Sequence, residues 1–141
     1  MIADTILGDA TRSVSNLNKW LRTKNAPDYA GLYVEIGKRY SVRGDVALFQ
    51  ACLETAFFRF TGEVKQEQNN FAGLGATGGV PGDSFPTPDA GIEAHIQDLA
   101  LRAGRFVAFD TIISPYVKKN YNYIRQLKTT EWRGLAGTWA K

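Results

Sequence analysis

The sequence has little of two residue types that often build metal and catalytic sites, with one cysteine and one histidine among 141 residues. A single cysteine excludes an internal disulfide, and one cysteine with one histidine provides too few ligands for a zinc cluster. Cys52 lies in an apolar run between Ala51 and Leu53, so we interpret it as a core residue rather than a reactive thiol. We therefore expect no metal and no cofactor.

The one histidine, His95, lies on the apolar stripe of a predicted helix. This position favours a hydrogen-bonded core histidine over a catalytic base. The chain also lacks a nucleophile-elbow motif and an evident serine partner for His95, which argues against a serine triad.

Long apolar runs are absent too, since none approaches the roughly 20 residues that a bilayer-spanning helix needs. We expect no membrane insertion, and residues 1–18 lack the basic and apolar regions of a secretory signal. The net charge of +3 is mild and would favour loose attraction to an anionic polymer, such as a bacterial cell wall or nucleic acid. Basic residues alternate with tyrosines over residues 118–128, which suits single-stranded nucleic acid and sugar rings equally.

Hydrophobic residues at helical spacing are present along most of the chain and predict a single, mainly α domain over residues 1–141. Asp45 is a candidate N-cap, and Thr87-Pro88-Asp89 has the cap, N1 proline and acid of a helix start. The helix after Asp45 is apolar on nearly every side, so we expect it to be the buried central helix. The predicted helices cover about residues 14–22, 28–40, 45–60, 87–104 and 131–140.

Residues 61–86 are rich in glycine and show no helical period. We predict a small β or loop lobe with an irregular hairpin, anchored to the helices by Phe71, Leu74 and Phe85. Residues 73–78 resemble a G-x-G-x-x-G motif in outline. They lack the preceding strand and following helix of a dinucleotide site, so we reject that function.

Glu54 is the candidate catalytic residue because it lies within the most apolar predicted helix. Burying a carboxylate is costly unless it is paired or protonated, and a carboxyl with a raised pKa can act as a general acid. Gln50 lies one helical turn before Glu54 and shares its face. The structural alternative is a buried glutamate that is hydrogen-bonded to backbone or to Arg59.

Several motifs around Glu54 resemble the bacterial glucosaminidase family, the peptidoglycan hydrolases of the mannosyl-glycoprotein endo-β-N-acetylglucosaminidase-like group. The resemblance extends from about Ala30 to the C-terminus. It rests on residues 42–47 (VRGDVA), 50–55 (QACLET), 57–60 (FFRF), 67–79 (EQNNFAGLGATGG), 91–92 (GI), 94–99 (AHIQDL) and 135–140 (LAGTWA).

The resemblance implies a lysozyme-like α+β fold with a groove between a helical lobe and the glycine-rich lobe. It also implies hydrolysis of the β-1,4 bond after N-acetylglucosamine in peptidoglycan, with Glu54 as general acid. By the same resemblance Asn70, Phe71 and Gly73 line the sugar site, where Gln50 is a further candidate. We expect aromatic residues such as Tyr116, Tyr121 or Tyr123 to stack on sugar rings. Ala56 departs from the family, which commonly has glycine there.

A second carboxylate is not fixed by the resemblance. Glycosidases usually use two, about 5–5.5 Å apart for retention or about 6.5–9.5 Å apart for inversion. Glu63, Glu67 and Asp83 are available, and Asp83 is favoured by its place in the glycine-rich lobe. Catalysis assisted by the substrate's N-acetyl group would need no second acid.

Other functions on the same scaffold remain open. The chain could be a muramidase or lytic transglycosylase, or a glycan-binding module without turnover. We expect a monomer that binds peptidoglycan strands at the bacterial cell wall and does not bind nucleic acid. Without a visible signal, a phage-encoded protein, another export route or an excised domain of a longer protein is expected.

Overall fold

Helices form most of the structure, a computed structural model that describes residues 5–62, 64–77 and 79–137. This mainly helical fold with a small β lobe confirms the predicted α+β class. The helices are α1 (Val14–Thr23), α2 (Ala30–Arg39), α3 (Gly44–Thr55), α4 (Pro88–Arg102), α5 (Pro115–Lys119) and α6 (Tyr121–Leu127). The antiparallel strands are β1 (Ala76–Thr77) and β2 (Val80–Pro81), with Thr77 opposite Val80. Short 3-10 helices cover Gln66–Gln68, Phe109–Thr111 and Trp132–Gly137.

Side-chain caps set the starts of several helices. The Thr87 hydroxyl accepts from Ala90 N at 3.1 Å and Pro88 occupies the first turn, which confirms the predicted start of α4. Asp45 is not the N-cap of α3, because the helix begins at Gly44 after Arg43. The predicted last α-helix is wrong over its described part, which is the 3-10 helix Trp132–Gly137. Residues 138–140 of that prediction lie outside the described residues.

The buried central helix is α4. The apolar pattern had predicted that α3 would hold this position. Ten residues of α4 from Ile92 onward are buried, and α2, α3 and α6 pack against it. Several of its buried polar groups are paired, as in Asp98 and Arg102, whose Oδ2 and Nε lie 2.9 Å apart. Because hydrogen bonds and ion pairs engage these side chains, a helix of mixed composition can lie at the centre of the domain, even though Asp98 Oδ1 has no hydrogen-bond partner among the described residues.

Helix α3 packs against α2 and α4 on one side and leaves its last turn open. Leu53 is 81% exposed and Glu54 is also exposed, whereas Ala51 and Cys52 are buried. The interpretation of Cys52 as a core residue is confirmed, and burial raises the pKa of its thiol to about 12. No described helix is long and apolar enough to span a bilayer.

The segment before α1 is tied to both α3 and the end of the described chain. Ile6 N donates to Thr130 O at 3.0 Å, and Arg43 N donates to Ile6 O at 2.9 Å. The Trp132 indole donates to Thr5 O at 2.9 Å. The start of α3 is therefore clamped from outside the helix.

Candidate functional site

Glu54 lies at the junction between the helical lobe and the glycine-rich lobe. Its Oε2 is 3.7 Å from the point that a Cβ on Gly73 would occupy, so the carboxylate faces the backbone of the glycine-rich segment. The prediction that Glu54 is buried is wrong, because the helix ends one residue later and the side chain is exposed. The carboxylate is thus accessible to a ligand from solvent.

A left-handed turn follows Thr55, the last residue of α3, and replaces the predicted helix to residue 60. Ala56, Phe57 and Phe58 have φ of 52°, 57° and 67°, a region that residues with a side chain seldom adopt. The Thr55 hydroxyl donates to Ala51 O at 2.7 Å and accepts from Phe58 N at 2.7 Å, which holds the turn. The turn directs the chain away from the helix axis and leaves Glu54 at an open end.

Aromatic packing secures that turn to the glycine-rich lobe. The Phe58 ring is buried and lies edge-on to Phe71 with centroids 5.3 Å apart, and both rings contact Tyr29. Phe60 also lies against Phe71 at 6.0 Å. The position of Gly73 relative to Glu54 is therefore supported by a packed aromatic cluster.

Asn70 organises the loop that carries Gly73. It is buried, its Nδ2 donates to Leu74 O and Asp83 O at 3.0 Å each, and its Oδ1 accepts from Leu74 N at 2.9 Å. Phe71 is also buried. Sugar contact by Asn70 and Phe71 stays a prediction. Because both side chains lie inside the lobe, their positions favour a role in fixing the conformation of the loop.

Asp83 connects the glycine-rich lobe to the start of α5. Its Oδ2 accepts hydrogen bonds from the Ser114 hydroxyl and, at 3.2 Å, from Tyr116 N. Its Oδ1 lies 3.5 Å from the point that a Cβ on Gly75 would occupy, and Tyr116 Cβ is 3.3 Å from the same point. The structure therefore brings Asp83 and Tyr116 together beside Gly75, two residues after the glycine that faces Glu54.

Glu63 and Glu67 were the other candidates for the second carboxylate. Glu67 is exposed on the 3-10 helix Gln66–Gln68, and Glu63 lies outside the described residues. Within the residues that the structure describes, no group of three histidine, cysteine or acidic side chains is arranged to hold a metal ion.

Tyr121 does not join this cluster. Its hydroxyl donates to Val107 O at 2.5 Å, and its ring lies edge-on to Phe109 with centroids 5.2 Å apart. The Lys118 ammonium lies over the Phe109 ring. These contacts place Tyr121 at a separate, open cavity of about 380 Å³ beside α5 and α6. Its predicted stacking on a sugar ring stays a prediction.

Gln50 lies on α3 one turn before Glu54 and contacts His95. Its Oε1 is 2.8 Å from His95 Nε2, and His95 Nδ1 is 2.9 Å from the Tyr33 hydroxyl. His95 is fully buried, and burial lowers its pKa to about 3. This confirms that His95 is a hydrogen-bonded core histidine.

Ser114, which contacts Asp83, and Tyr33, which contacts His95, were not predicted from the sequence. Ser114 precedes Pro115, the same cap-and-proline pattern as Thr87-Pro88, so the pattern could have predicted the start of α5. Tyr33 gave no such signal, because its contact with His95 joins residues 62 apart in the chain.

Comparison with known proteins gives a family and a relative. The sequence profile of the glucosaminidase family, described as mannosyl-glycoprotein endo-beta-N-acetylglucosaminidase, matches residues 30–141. An uncharacterized protein of Borreliella burgdorferi strain B31 is 31% identical over 138 residues, which cover 97% of this chain and 66% of that protein. The chain thus spans slightly less than two thirds of the relative's length. No solved structure matches the chain significantly.

Proposed function

The chain belongs to the mannosyl-glycoprotein endo-beta-N-acetylglucosaminidase family, and on this premise we propose that it hydrolyses the β-1,4 bond after N-acetylglucosamine in peptidoglycan. The observation that carries the proposal is the exposed Glu54 carboxylate at the end of α3, beside Gly73. A general acid must reach the leaving oxygen of a polymer, so it needs an open position between two lobes. The absence of a side chain at Gly73 leaves room there for a sugar ring.

In this mechanism Glu54 protonates the glycosidic oxygen as the bond to the anomeric carbon breaks. A water then attacks the anomeric carbon and loses its proton to a base. Tyr116, which lies beside Gly75, supplies an aromatic surface for a sugar ring. Gly73 and Gly75 give the glycan access to the backbone between these groups.

The product of digestion tests the bond that is cleaved. Sacculi from several bacteria are digested and the fragments are analysed by liquid chromatography with mass spectrometry. We expect N-acetylglucosamine at the new reducing ends. Muramic acid at those ends would indicate a muramidase, and anhydromuramic ends would indicate a lytic transglycosylase. Either result would overturn the proposed bond specificity.

Replacing Glu54 tests the role of the acid. We expect Glu54→Gln to lower the rate of wall clearing by about 10²- to 10⁴-fold, the usual contribution of general acid catalysis. Stability and sedimentation with walls should be unchanged, because the side chain is exposed. Glu35→Gln is the matched control, since Glu35 is an exposed glutamate on α2.

Persistent binding without clearing would favour the alternative function. If the wild-type protein sediments with walls but clears none from any source, the chain is a glycan-binding module and the enzymatic proposal fails.

We propose Asp83 as the second carboxylate, with Ser114 and Tyr116 N holding one of its oxygens. Asp83→Asn should reduce turnover by at least about 100-fold if the carboxylate acts as base. Ser114→Ala is the matched control, because it removes a hydrogen bond to Asp83 but keeps the carboxylate. An equal loss in the two variants would mean that Asp83 only holds α5, and unchanged turnover in Asp83→Asn would favour catalysis by the substrate's own N-acetyl group.

We further propose that the domain acts as a monomer on wall glycan strands. Since it spans only 66% of its relative, the proposed activity refers to this domain and a longer protein could deliver it to the wall. Phage-encoded delivery and bacterial export both fit this proposal.

A further inference from the structure

The Gln50 side chain is fixed at one end by two buried residues. Gln50 Oε1 lies 2.8 Å from His95 Nε2, and His95 Nδ1 lies 2.9 Å from the Tyr33 hydroxyl. Tyr33 and His95 are both fully buried, with their rings nearly perpendicular at 80°. This series of hydrogen bonds leads from the core of the domain to the face of α3 that carries Glu54.

The donors and acceptors in the hydrogen bonds that join Tyr33, His95 and Gln50 can be assigned. His95 is neutral, because burial lowers its pKa to about 3, and a neutral imidazole has one donor and one acceptor nitrogen. The amide oxygen of Gln50 can only accept, so Nε2 of His95 carries the proton. Nδ1 then accepts from the Tyr33 hydroxyl, whose pKa burial raises well above its ordinary value. Donation therefore runs from Tyr33 through His95 to Gln50.

The direction leaves the amide nitrogen of Gln50 pointing away from His95. Gln50 is half-buried, and no described residue accepts a hydrogen bond from its Nε2, which is not among the buried polar atoms without a partner. This nitrogen is thus accessible to solvent. It belongs to the residue one helical turn before Glu54.

We propose that Tyr33 and His95 hold Gln50 as a donor to the N-acetyl carbonyl of the sugar whose bond Glu54 protonates. A fixed amide N–H pair favours an acceptor. An acetamido carbonyl can only accept, whereas the ammonium of a deacetylated sugar can only donate. His95 is then a positioning residue that sets the preference for N-acetylated glycan. This inference rests on the proposed function.

Two conservative variants of His95 separate positioning from general structure. In His95→Gln the side-chain amide reaches the place of Nε2 and keeps a donor toward Gln50. In His95→Asn the shorter amide reaches the place of Nδ1 and keeps only the contact with Tyr33. Both variants remove the buried ring, so a merely structural role predicts similar behaviour in the two.

The measurement is the ratio of kcat/KM on N-acetylated walls to kcat/KM on chemically deacetylated walls, with walls acetylated again as control. Because both substrates are given to the same preparation, the ratio does not depend on the folded fraction. We expect a ratio of about tenfold or more for the wild type and His95→Gln, which is the scale of one hydrogen bond. The ratio should fall several-fold in His95→Asn and in Gln50→Leu.

Nuclear magnetic resonance of the imidazole nitrogens gives a second measurement that does not depend on activity. We expect the tautomer protonated at Nε2 in the wild-type protein at pH 7. The Nδ1 tautomer would overturn the inference, and so would equal ratios in the wild type and His95→Asn. If neither wall is cleaved by any preparation, the proposed function itself fails, which is a distinct result.

Discussion

Helix α3 carries an acidic residue near each end, and the two have opposite surroundings. Asp45 in its first turn is fully buried, and its Oδ2 lies 3.0 Å from Arg43 Nη2 and 3.2 Å from Arg12 Nη1. Glu54 in its last turn is exposed beside Gly73. The buried acid is bound on several sides and serves stability, while the acid that is open to a ligand is the candidate for chemistry.

Hydrogen bonding explains why the buried end tolerates a charge. Burial by itself would raise the pKa of Asp45, but hydrogen bonds from Thr11 N and Arg43, together with the charge of Arg43, hold it below its ordinary value. Asp45 is thus ionised and paired, which is how proteins accommodate a buried carboxylate. The comparison shows that an apolar sequence around an acid does not predict its burial.

Removing the buried acid should produce the largest change in stability. Asp45→Asn removes a buried carboxylate that pairs with Arg43 and Arg12, so we expect the free energy of unfolding to fall by about 3–5 kcal/mol in urea denaturation. The control is Arg12→Ala, where the partner is 49% exposed and the loss should stay below about 1 kcal/mol. Equal losses in the two variants would contradict the distinction between the ends of α3.

Acid should weaken the fold through His95 of α4, which contacts Gln50 in the middle of α3, at a higher pH than through Asp45. The pKa of His95 is lowered to about 3 from 6.5, so the unfolded chain binds one more proton between these values. The free energy of unfolding should therefore fall as pH falls below 6.5, by about 1.4 kcal/mol per pH unit. The pKa of Asp45 is also lowered, but from an ordinary value near 4, so its stabilisation is lost only as pH falls below about 4.

Urea denaturation at intervals from pH 7 to 4.5 measures this slope. His95→Gln is the control, and its slope over this range should be close to zero. A wild-type slope equal to that of His95→Gln would show that the histidine is not buried in its neutral form.

We expect the smallest change in the free energy of unfolding from a substitution in the left-handed turn that follows α3. Ala56 has φ of 52°, and glycine adopts this conformation without steric strain. Ala56→Gly should therefore raise the free energy of unfolding by about 1 kcal/mol. Ala47→Gly, inside α3, should lower it by about 1 kcal/mol or more. A loss of stability in Ala56→Gly would mean that the turn is not left-handed in solution.

Local sequence signals predicted much of the fold. The start of α4 followed from Thr87 and Pro88, α1 was predicted within one residue, and a glycine-rich lobe with a small hairpin was expected. These features depend on neighbours in the chain, which capping and periodicity report. Glu54 was a candidate because it lies in an apolar run, and the resemblance to the family then implied its role as general acid.

The remaining errors came from contacts that local patterns do not encode. The end of α3 was predicted too late, because Ala56 and the phenylalanines after it lack the glycine that usually marks a left-handed turn. Asp45 was interpreted as a cap, since its partners Thr11 and Arg12 lie more than 30 residues away. The central position of α4 was missed because His95 and Gln97 are hydrogen-bonded by residues distant in the chain, such as Tyr33 and Tyr40.

The bridge between Thr5 and Glu131 has a topological consequence. Because Thr5 and Glu131 are adjacent, a peptide could join the segments near the two ends of the described fold, and the chain could be opened at an exposed turn such as Gly104. Such a circular permutant would keep α3 and the glycine-rich lobe continuous. The arrangement of Glu54 and Gly73 would then not depend on where the polypeptide starts, so neighbouring domains could be attached at a different point without altering the site.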